Sequence, residues 1–179
     1  MIGFGCRGVL VAIAVCSVFA CAQDKSKRPS PPGSAECRFA DGKTVHIDYS
    51  RPSMKGRKIF GELVPFDKEW RTGANEATMF VPNTTVEAAG TKVPAGSYTL
   101  FTVPSQKQWT LIISKKTGEW GIPYPGQSED LARVPMRSEE LSTPVEQFTI
   151  SFERTSPEAC TLRMDWETTR AEVSVREAK

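Results

Sequence analysis

Two stretches near the end of the chain, Gln-Phe-Thr-Ile-Ser-Phe at residues 147–152 and Thr-Leu-Arg-Met-Asp-Trp at residues 161–166, decide the fold. In both, apolar side chains alternate with polar ones, which is typical of a β-strand with one buried face. The same alternation recurs in residues 43–50 and 172–176. No window of useful length carries the 3.6-residue stripe of an amphipathic helix, so we predict an all-β domain.

Turn residues separate these strands in a way that favours antiparallel pairing. Asp41-Gly42 is a strong hairpin signal, and Pro94-Ala95-Gly96 precedes a segment, residues 97–103, that is apolar on both faces like a central strand. The spacing predicts a single antiparallel β-sandwich of about nine strands, with a closed barrel as the alternative. This estimate rests on ten candidate segments, at residues 37–40, 43–50, 77–81, 85–89, 97–103, 109–114, 131–136, 147–152, 161–166 and 172–176.

The composition excludes several function classes. The chain has 179 residues, of which 39% are hydrophobic, enough for one core. Lys and Arg exceed Asp and Glu by only 23 to 21, so a nucleic-acid partner is not expected. The single histidine, His46, is too few for a His-rich metal centre and leaves a serine–histidine triad only one candidate base. We therefore expect no metal and no cofactor.

The first 20 residues have the pattern of an export signal. Arg7 precedes a short apolar run that ends at Ala20, too short to span a bilayer. Val18-Phe19-Ala20-Cys21 resembles a bacterial lipoprotein box, which predicts lipidation of Cys21 and anchoring to a membrane by acyl chains. Ala20-Cys21-Ala22 also fits ordinary signal cleavage, which would give a soluble secreted protein. Either way we predict export to the bacterial envelope.

Residues 21–36 form the second predicted unit. After Cys21 the segment is rich in Pro, Ser and Lys and has no apolar periodicity, which predicts a disordered tether. The folded domain is then expected at residues 37–179.

Two cysteines remain for that domain, Cys37 and Cys160. An even number of cysteines in an exported chain favours a disulfide, and both residues lie on the apolar face of an alternating segment. The alternative is a pair of buried free thiols.

The densest polar cluster lies in residues 70–78, where a flexible glycine is surrounded by an aromatic ring, a cation, an amide and a carboxylate. A carboxylate that is partly buried at the start of a strand needs a partner, and Arg71 is the nearest candidate for Glu76. The cluster is a candidate ligand site, or alternatively a clamp that fastens a long loop. Its candidate residues are Trp70, Arg71, Asn75, Glu76 and Thr78.

A second candidate surface is the proline-stiffened loop at residues 118–126. Trp120 and Tyr124 are positioned there to stack on a sugar or a peptide, or to fold back over the end of the sandwich.

Several segments are distinctive as a set: Tyr49-Ser50-Arg51-Pro52-Ser53, residues 56–61, Leu63-Val64-Pro65, residues 70–78, 94–101 and 109–112, Trp120-Gly121, residues 131–134, Phe148-Thr149-Ile150 and Trp166-Glu167. With these segments the chain resembles a family of exported bacterial proteins known as domain of unknown function DUF 2911. The resemblance extends from about Cys37 to Lys179 and implies a compact β-rich envelope domain with no established activity, so no catalytic residue is carried over.

Three hypotheses for the function follow. The first is a non-catalytic binding or structural β-domain of a bacterial lipoprotein, whose partner is an envelope glycan or protein. The second is a hydrolase of an envelope substrate in which Glu76 is the general base and Arg71 or Asn75 stabilises charge. The third is a purely structural role in which residues 70–78 are an internal clamp.

Overall fold

The computed structural model describes residues 27–179, and its regular secondary structure is almost entirely β-strand. A 3-10 turn, Gln127–Glu129, interrupts them. The strands are β1 (Pro32–Arg38), β2 (Thr44–Ser50), β3 (Thr78–Pro82), β4 (Val86–Ala88), β5 (Thr91–Val93), β6 (Tyr98–Val103), β7 (Trp109–Ser114), β8 (Asp130–Ser156) and β9 (Ala159–Glu177).

All pairings are antiparallel, in the order β1-β2-β3-β6-β7-β8-β9-β4-β5. Strand β8 joins the two halves of this sheet, since its first residues, up to Met136, pair with β7 and the remainder, from Arg137, pairs with β9. The sheet therefore doubles over into two layers and does not close into a barrel. The predicted all-β, antiparallel, sandwich-like fold of about nine strands is confirmed.

Strands β8 and β9 each merge two strands that the sequence predicts separately, and β5 is a short strand that the alternation does not reveal. The register of β8 against β9 is irregular between Glu140 and Thr149, where a β-bulge bends the strand without ending it.

The core lies between the layers and follows the predicted alternation. Val45, Ile47 and Tyr49 of β2 are buried, as are Leu162, Met164 and Trp166 of β9. Strand β6 is also buried on its other face, where Phe101 packs with Ala77 and Ile112 and the ring of Tyr124 covers them. The loop after β7 thus lies over the outer face of the layer that contains β6 and β7.

Two contacts connect the layers directly. The disulfide Cys37–Cys160 links β1 to β9, with a Cα–Cα distance of 6.3 Å, which confirms the predicted pair. The hydroxyl of Tyr49 accepts a hydrogen bond from the Ile150 N–H at 2.9 Å and donates to the Ile150 carbonyl at 3.3 Å. The backbone of β8 is thereby satisfied by a side chain of β2.

The first strand of the domain begins earlier than the sequence predicts. Residues Pro32 to Glu36, expected in the tether, form most of β1 and pair with β2. They form a strand because their backbone N–H and C=O groups pair with those of β2, although their side chains show little apolar periodicity. The predicted signal (residues 1–20), Cys21 and the first part of the tether lie outside the described residues. Among residues 27–179 no helix is long and apolar enough to cross a membrane.

Candidate functional site

A cavity of about 360 Å³ lies where the chain enters the domain, beside the end of β2 and the start of β3. Its walls are largely apolar and its rim carries the charged groups, which is the usual composition of a small-ligand site. It is lined by Arg28, Ser30, Pro32, Gly33, Asp48, Tyr49, Ser50, Glu76, Ala77, Met79, Gly118 and Glu119.

Glu76 is the predicted site residue that lines this cavity. Its carboxylate is bound by Arg28, whose Nη1 donates to both oxygens at 2.9 and 2.8 Å, rather than by Arg71 as expected. The two side chains remain 42% and 23% exposed. An ion pair with that much solvent contact contributes about 1 kcal/mol or less to stability.

Arg71 is directed toward the second candidate loop. Its Nη1 donates to the Trp120 carbonyl at 3.1 Å, and its guanidinium carbon lies 5.4 Å from the centre of the Trp120 ring. Burial lowers the pKa of Arg71, and the nearby charge of Glu76 opposes that shift. The guanidinium remains charged near neutral pH, so it joins Trp120 to the Glu76 region through a cation–π contact.

Asn75 holds the incoming chain. Its amide donates to the Ser30 carbonyl at 3.0 Å and to the Ser50 hydroxyl at 3.2 Å. The Arg51 N–H donates to the Pro31 carbonyl at 2.8 Å. The segment before β1 is therefore attached to the domain by backbone and side-chain bonds.

Trp70 and Thr78 support the loop from the core side. The Trp70 ring stacks on Trp166 with centroids 5.8 Å apart, and its indole N–H donates to the Gly73 carbonyl at 3.1 Å. Thr78 is fully buried and its hydroxyl donates to the Thr72 carbonyl at 2.6 Å. These bonds fix the turn that places Glu76 at the cavity.

Trp120 and Tyr124 share a loop but have different environments. Tyr124 packs edge-on against Phe101 and its hydroxyl donates to the Asp130 carboxylate at 2.5 Å. Burial and this carboxylate raise the pKa of Tyr124 well above its ordinary value. Trp120, in contrast, is 53% exposed. The structure brings Arg71, Glu76 and Trp120 to one region and places Tyr124 underneath the loop.

Sequence reasoning missed Arg28, Tyr49 and Met79 as residues of this region. Arg28 lies in the segment that the sequence predicts to be a disordered tether, and no local pattern reports a contact across 48 positions. Within residues 27–179, no three His, Cys, Asp or Glu side chains are grouped so that they could hold a metal ion.

A family model described as "Protein of unknown function (DUF2911)" matches residues 30–175. Comparison with curated proteins and with solved structures finds no match. The matched range includes Glu76, Asn75 and Trp120, whereas Arg28 precedes it.

Proposed function

Because the chain belongs to the family described as Protein of unknown function (DUF2911), which assigns no activity, we propose a function from the cavity beside Glu76. The protein is an exported, non-catalytic binding domain of a bacterial lipoprotein, attached to a membrane through Cys21. The cavity receives an apolar group that carries a cation. An arginine or lysine of an envelope protein, or an amino group of an envelope glycan, meets that description.

One observation carries this proposal: the rim carboxylate of Glu76 is neutralised by Arg28, a residue outside the range matched by the family model. Glu76 lies within the residues matched by the family model, whereas Arg28 lies just before them. A guanidinium bound in this way has the charge and hydrogen-bonding groups of the proposed ligand. Arg28 therefore occupies the position that a ligand cation takes.

The charges around the cavity agree with this ligand class. Three carboxylates line the cavity, those of Asp48, Glu76 and Glu119, whereas Arg28 is the one arginine among its lining residues. Ala77 and Met79 supply apolar wall for the body of the ligand. A cation with an apolar body gains from both kinds of contact, while an anion is repelled by the rim.

Hydrolysis with Glu76 as general base has less support. Arg71 is bonded to the Trp120 carbonyl and Asn75 to Ser30 and Ser50, so both groups assigned to charge stabilisation have other partners. General-base catalysis needs a carboxylate within reach of a substrate and a second group at the developing charge. Binding requires only the carboxylate and the cavity.

The methionines allow a direct test. Of Met54, Met79, Met136 and Met164, Met79 lines the cavity, so its labelled methyl group reports on it. In the mature chain, residues 21–179, carrying Arg28→Ala, benzamidine should shift the Met79 methyl resonance and leave the other three unchanged. Benzoate, a matched anion, should have no effect.

Two variants complete the test. Glu76→Gln in the Arg28→Ala background should abolish the benzamidine shift, and wild-type protein should respond only at higher concentration because Arg28 competes. A shift that is equal for benzamidine and benzoate, or that survives Glu76→Gln, overturns the proposal. Turnover of a wall-glycan or peptide substrate that Glu76→Gln abolishes would instead establish the hydrolase.

A further inference from the structure

Two large apolar side chains project into solvent from the loop after β7. Among the described residues the exposed large hydrophobic side chains are Leu63, Trp120 and Ile122, with 46%, 53% and 68% of their surface accessible. Two of the three are thus two positions apart on one loop. Exposing both on a small domain costs solubility, which is the usual sign of a surface that contacts something.

The loop that carries them is firmly held at its base. Gly121 is buried against Arg71 and Ala77, and the Glu119 carbonyl accepts a bond from the Ala77 N–H at 3.1 Å. At the other end, Tyr124 is fixed by Phe101 and Asp130. Trp120 and Ile122 are therefore presented on a rigid support and keep their exposure.

The chain enters the domain beside this loop. Arg28 and Ser30 line the same cavity as Gly118 and Glu119, and the partner of Arg28, Glu76, directly precedes Ala77. Lys27 stands only six positions after Cys21. A fully extended chain of that length spans about 20 Å. An anchor at Cys21 would therefore hold the bilayer surface within about 20 Å of this part of the domain.

We propose that Trp120 and Ile122 form a membrane-docking tip that inserts into the interfacial region of the bilayer to which Cys21 is attached. This inference rests on the anchoring part of the proposed function and is independent of the cavity ligand. Tryptophan favours the interface because its ring is apolar and its N–H can bond to headgroups. Ile122 supplies further apolar area, and the Arg71 guanidinium beside the Trp120 ring meets lipid phosphates.

The short tether makes the proposal specific to a bilayer. Held at the surface by a lipid at Cys21, the loop is at high effective concentration next to the membrane, so a weak interfacial insertion becomes occupied. Two points of attachment then fix the orientation of the domain, with the cavity mouth close to the surface.

The test imposes the anchor chemically, so it does not depend on lipidation in the cell. In the mature chain, residues 21–179, Cys37 and Cys160 form a disulfide and Cys21 is the one remaining cysteine. Its thiol can be coupled to a maleimide lipid in vesicles of phosphatidylethanolamine and phosphatidylglycerol with brominated chains. Trp109 and Trp166 are buried and Trp70 stacks in the core, so Trp120 is the fluorophore that brominated chains can reach.

Coupling should quench part of the tryptophan emission, and Trp120→Phe, which keeps an aromatic ring, should remove the quenched part. Ile122→Ser should weaken the quenching severalfold, whereas the matched change Leu63→Ser on a different loop should not. Unchanged emission after coupling, quenching that persists in Trp120→Phe, or equal effects of Ile122→Ser and Leu63→Ser would each overturn the proposal. Mass spectrometry of the N-terminus of the cellular protein tests lipidation separately, and the Met79 titration tests the cavity without a membrane.

Discussion

Nη1 of Arg28 lies 2.9 and 2.8 Å from the two carboxylate oxygens of Glu76, which stands 48 positions further along the chain. This contact joins the segment that leads toward Cys21 to the rim of the cavity. Two interpretations of Glu76 can be tested through this contact, because a clamp has to stabilise the fold and a ligand-binding carboxylate does not.

We expect Glu76→Gln to change the melting temperature only slightly. The pair is partly exposed and contributes about 1 kcal/mol or less, and a domain of this size loses about 2–4 °C per kcal/mol. Thermal melting of wild type, Glu76→Gln and Arg28→Gln under oxidising conditions measures this, with the double variant giving the coupling. A drop of about 10 °C in Glu76→Gln would make the residue a clamp and remove the basis of the proposed binding site.

Tyr49→Phe should lower the free energy of unfolding substantially, although it removes only one hydroxyl group. The hydroxyl satisfies both the N–H and the carbonyl of Ile150 and the residue is 7% exposed, so the variant leaves buried backbone groups of β8 without partners. Such a loss costs about 1–3 kcal/mol. Urea denaturation should show a lower midpoint with an unchanged slope.

Tyr98→Phe is the matched control for this comparison. Its hydroxyl donates once, to the Pro94 carbonyl at 3.1 Å within the adjacent turn, where solvent can replace it. If both variants lose the same free energy of unfolding, the hydrogen bonds between β2 and β8 stabilise the fold no more than a local bond within a turn does.

The sequence predicts the layers of this fold better than its edges. Alternation such as Leu162, Met164 and Trp166 reports burial directly, because the strand period is two and one face must meet the core. It does not reveal residues 32–36, where pairing with β2 rather than side-chain burial makes the strand. It is equally silent about β5, a strand of three residues.

For the candidate site, local patterns identify residues but not their partners. The polar cluster at residues 70–78 is visible in the sequence, but Trp70 stacks on Trp166 while Glu76 lines a cavity, and only the topology separates these two outcomes. The pairing of Glu76 with Arg28 depends on how the chain enters the domain. The spacing of residues in a sequence does not predict a contact between a segment without periodicity and a loop far along the chain.

The Tyr124 hydroxyl makes stability depend on pH in the alkaline range. Burial and the Asp130 carboxylate raise the pKa of Tyr124 above its ordinary value of 10.0. The stability from the protonated hydroxyl is therefore fully present below about pH 10, the unfolded value, and is lost as the pH rises through the folded value.

The comparison with Tyr124→Phe isolates this effect. Between pH 7 and 9 wild type should exceed the variant by a constant amount, about 1 kcal/mol for a half-buried hydrogen bond to a charged group. Above pH 10 the difference should shrink, as measured by urea unfolding at each pH. A difference that stays constant or grows up to pH 11 would contradict the shift.

Two glycines of the loop after β7 give a matched pair of substitutions for the docking tip. Gly121 has φ +82° and Gly118 has φ +73°, so alanine is strained at both positions by about 1–2 kcal/mol. A Cβ at Gly121 would also lie 2.8 Å from the Arg71 Cβ and 2.9 Å from the Ala77 Cβ, atoms close to the backbone that cannot swing away. At Gly118 nothing lies within 4 Å.

Gly121→Ala should therefore lose about 1–3 kcal/mol more than Gly118→Ala, because the loop has to lift away from the start of β3. Lifting moves Trp120 off Arg71, so the emission of Trp120 should change in Gly121→Ala and stay as in wild type in Gly118→Ala. Coupled to brominated vesicles through Cys21, Gly121→Ala should also lose most of the quenching. If both alanine variants have the same melting temperature and both keep the quenching, the rigid base of the loop is not what presents Trp120 and Ile122 to the bilayer.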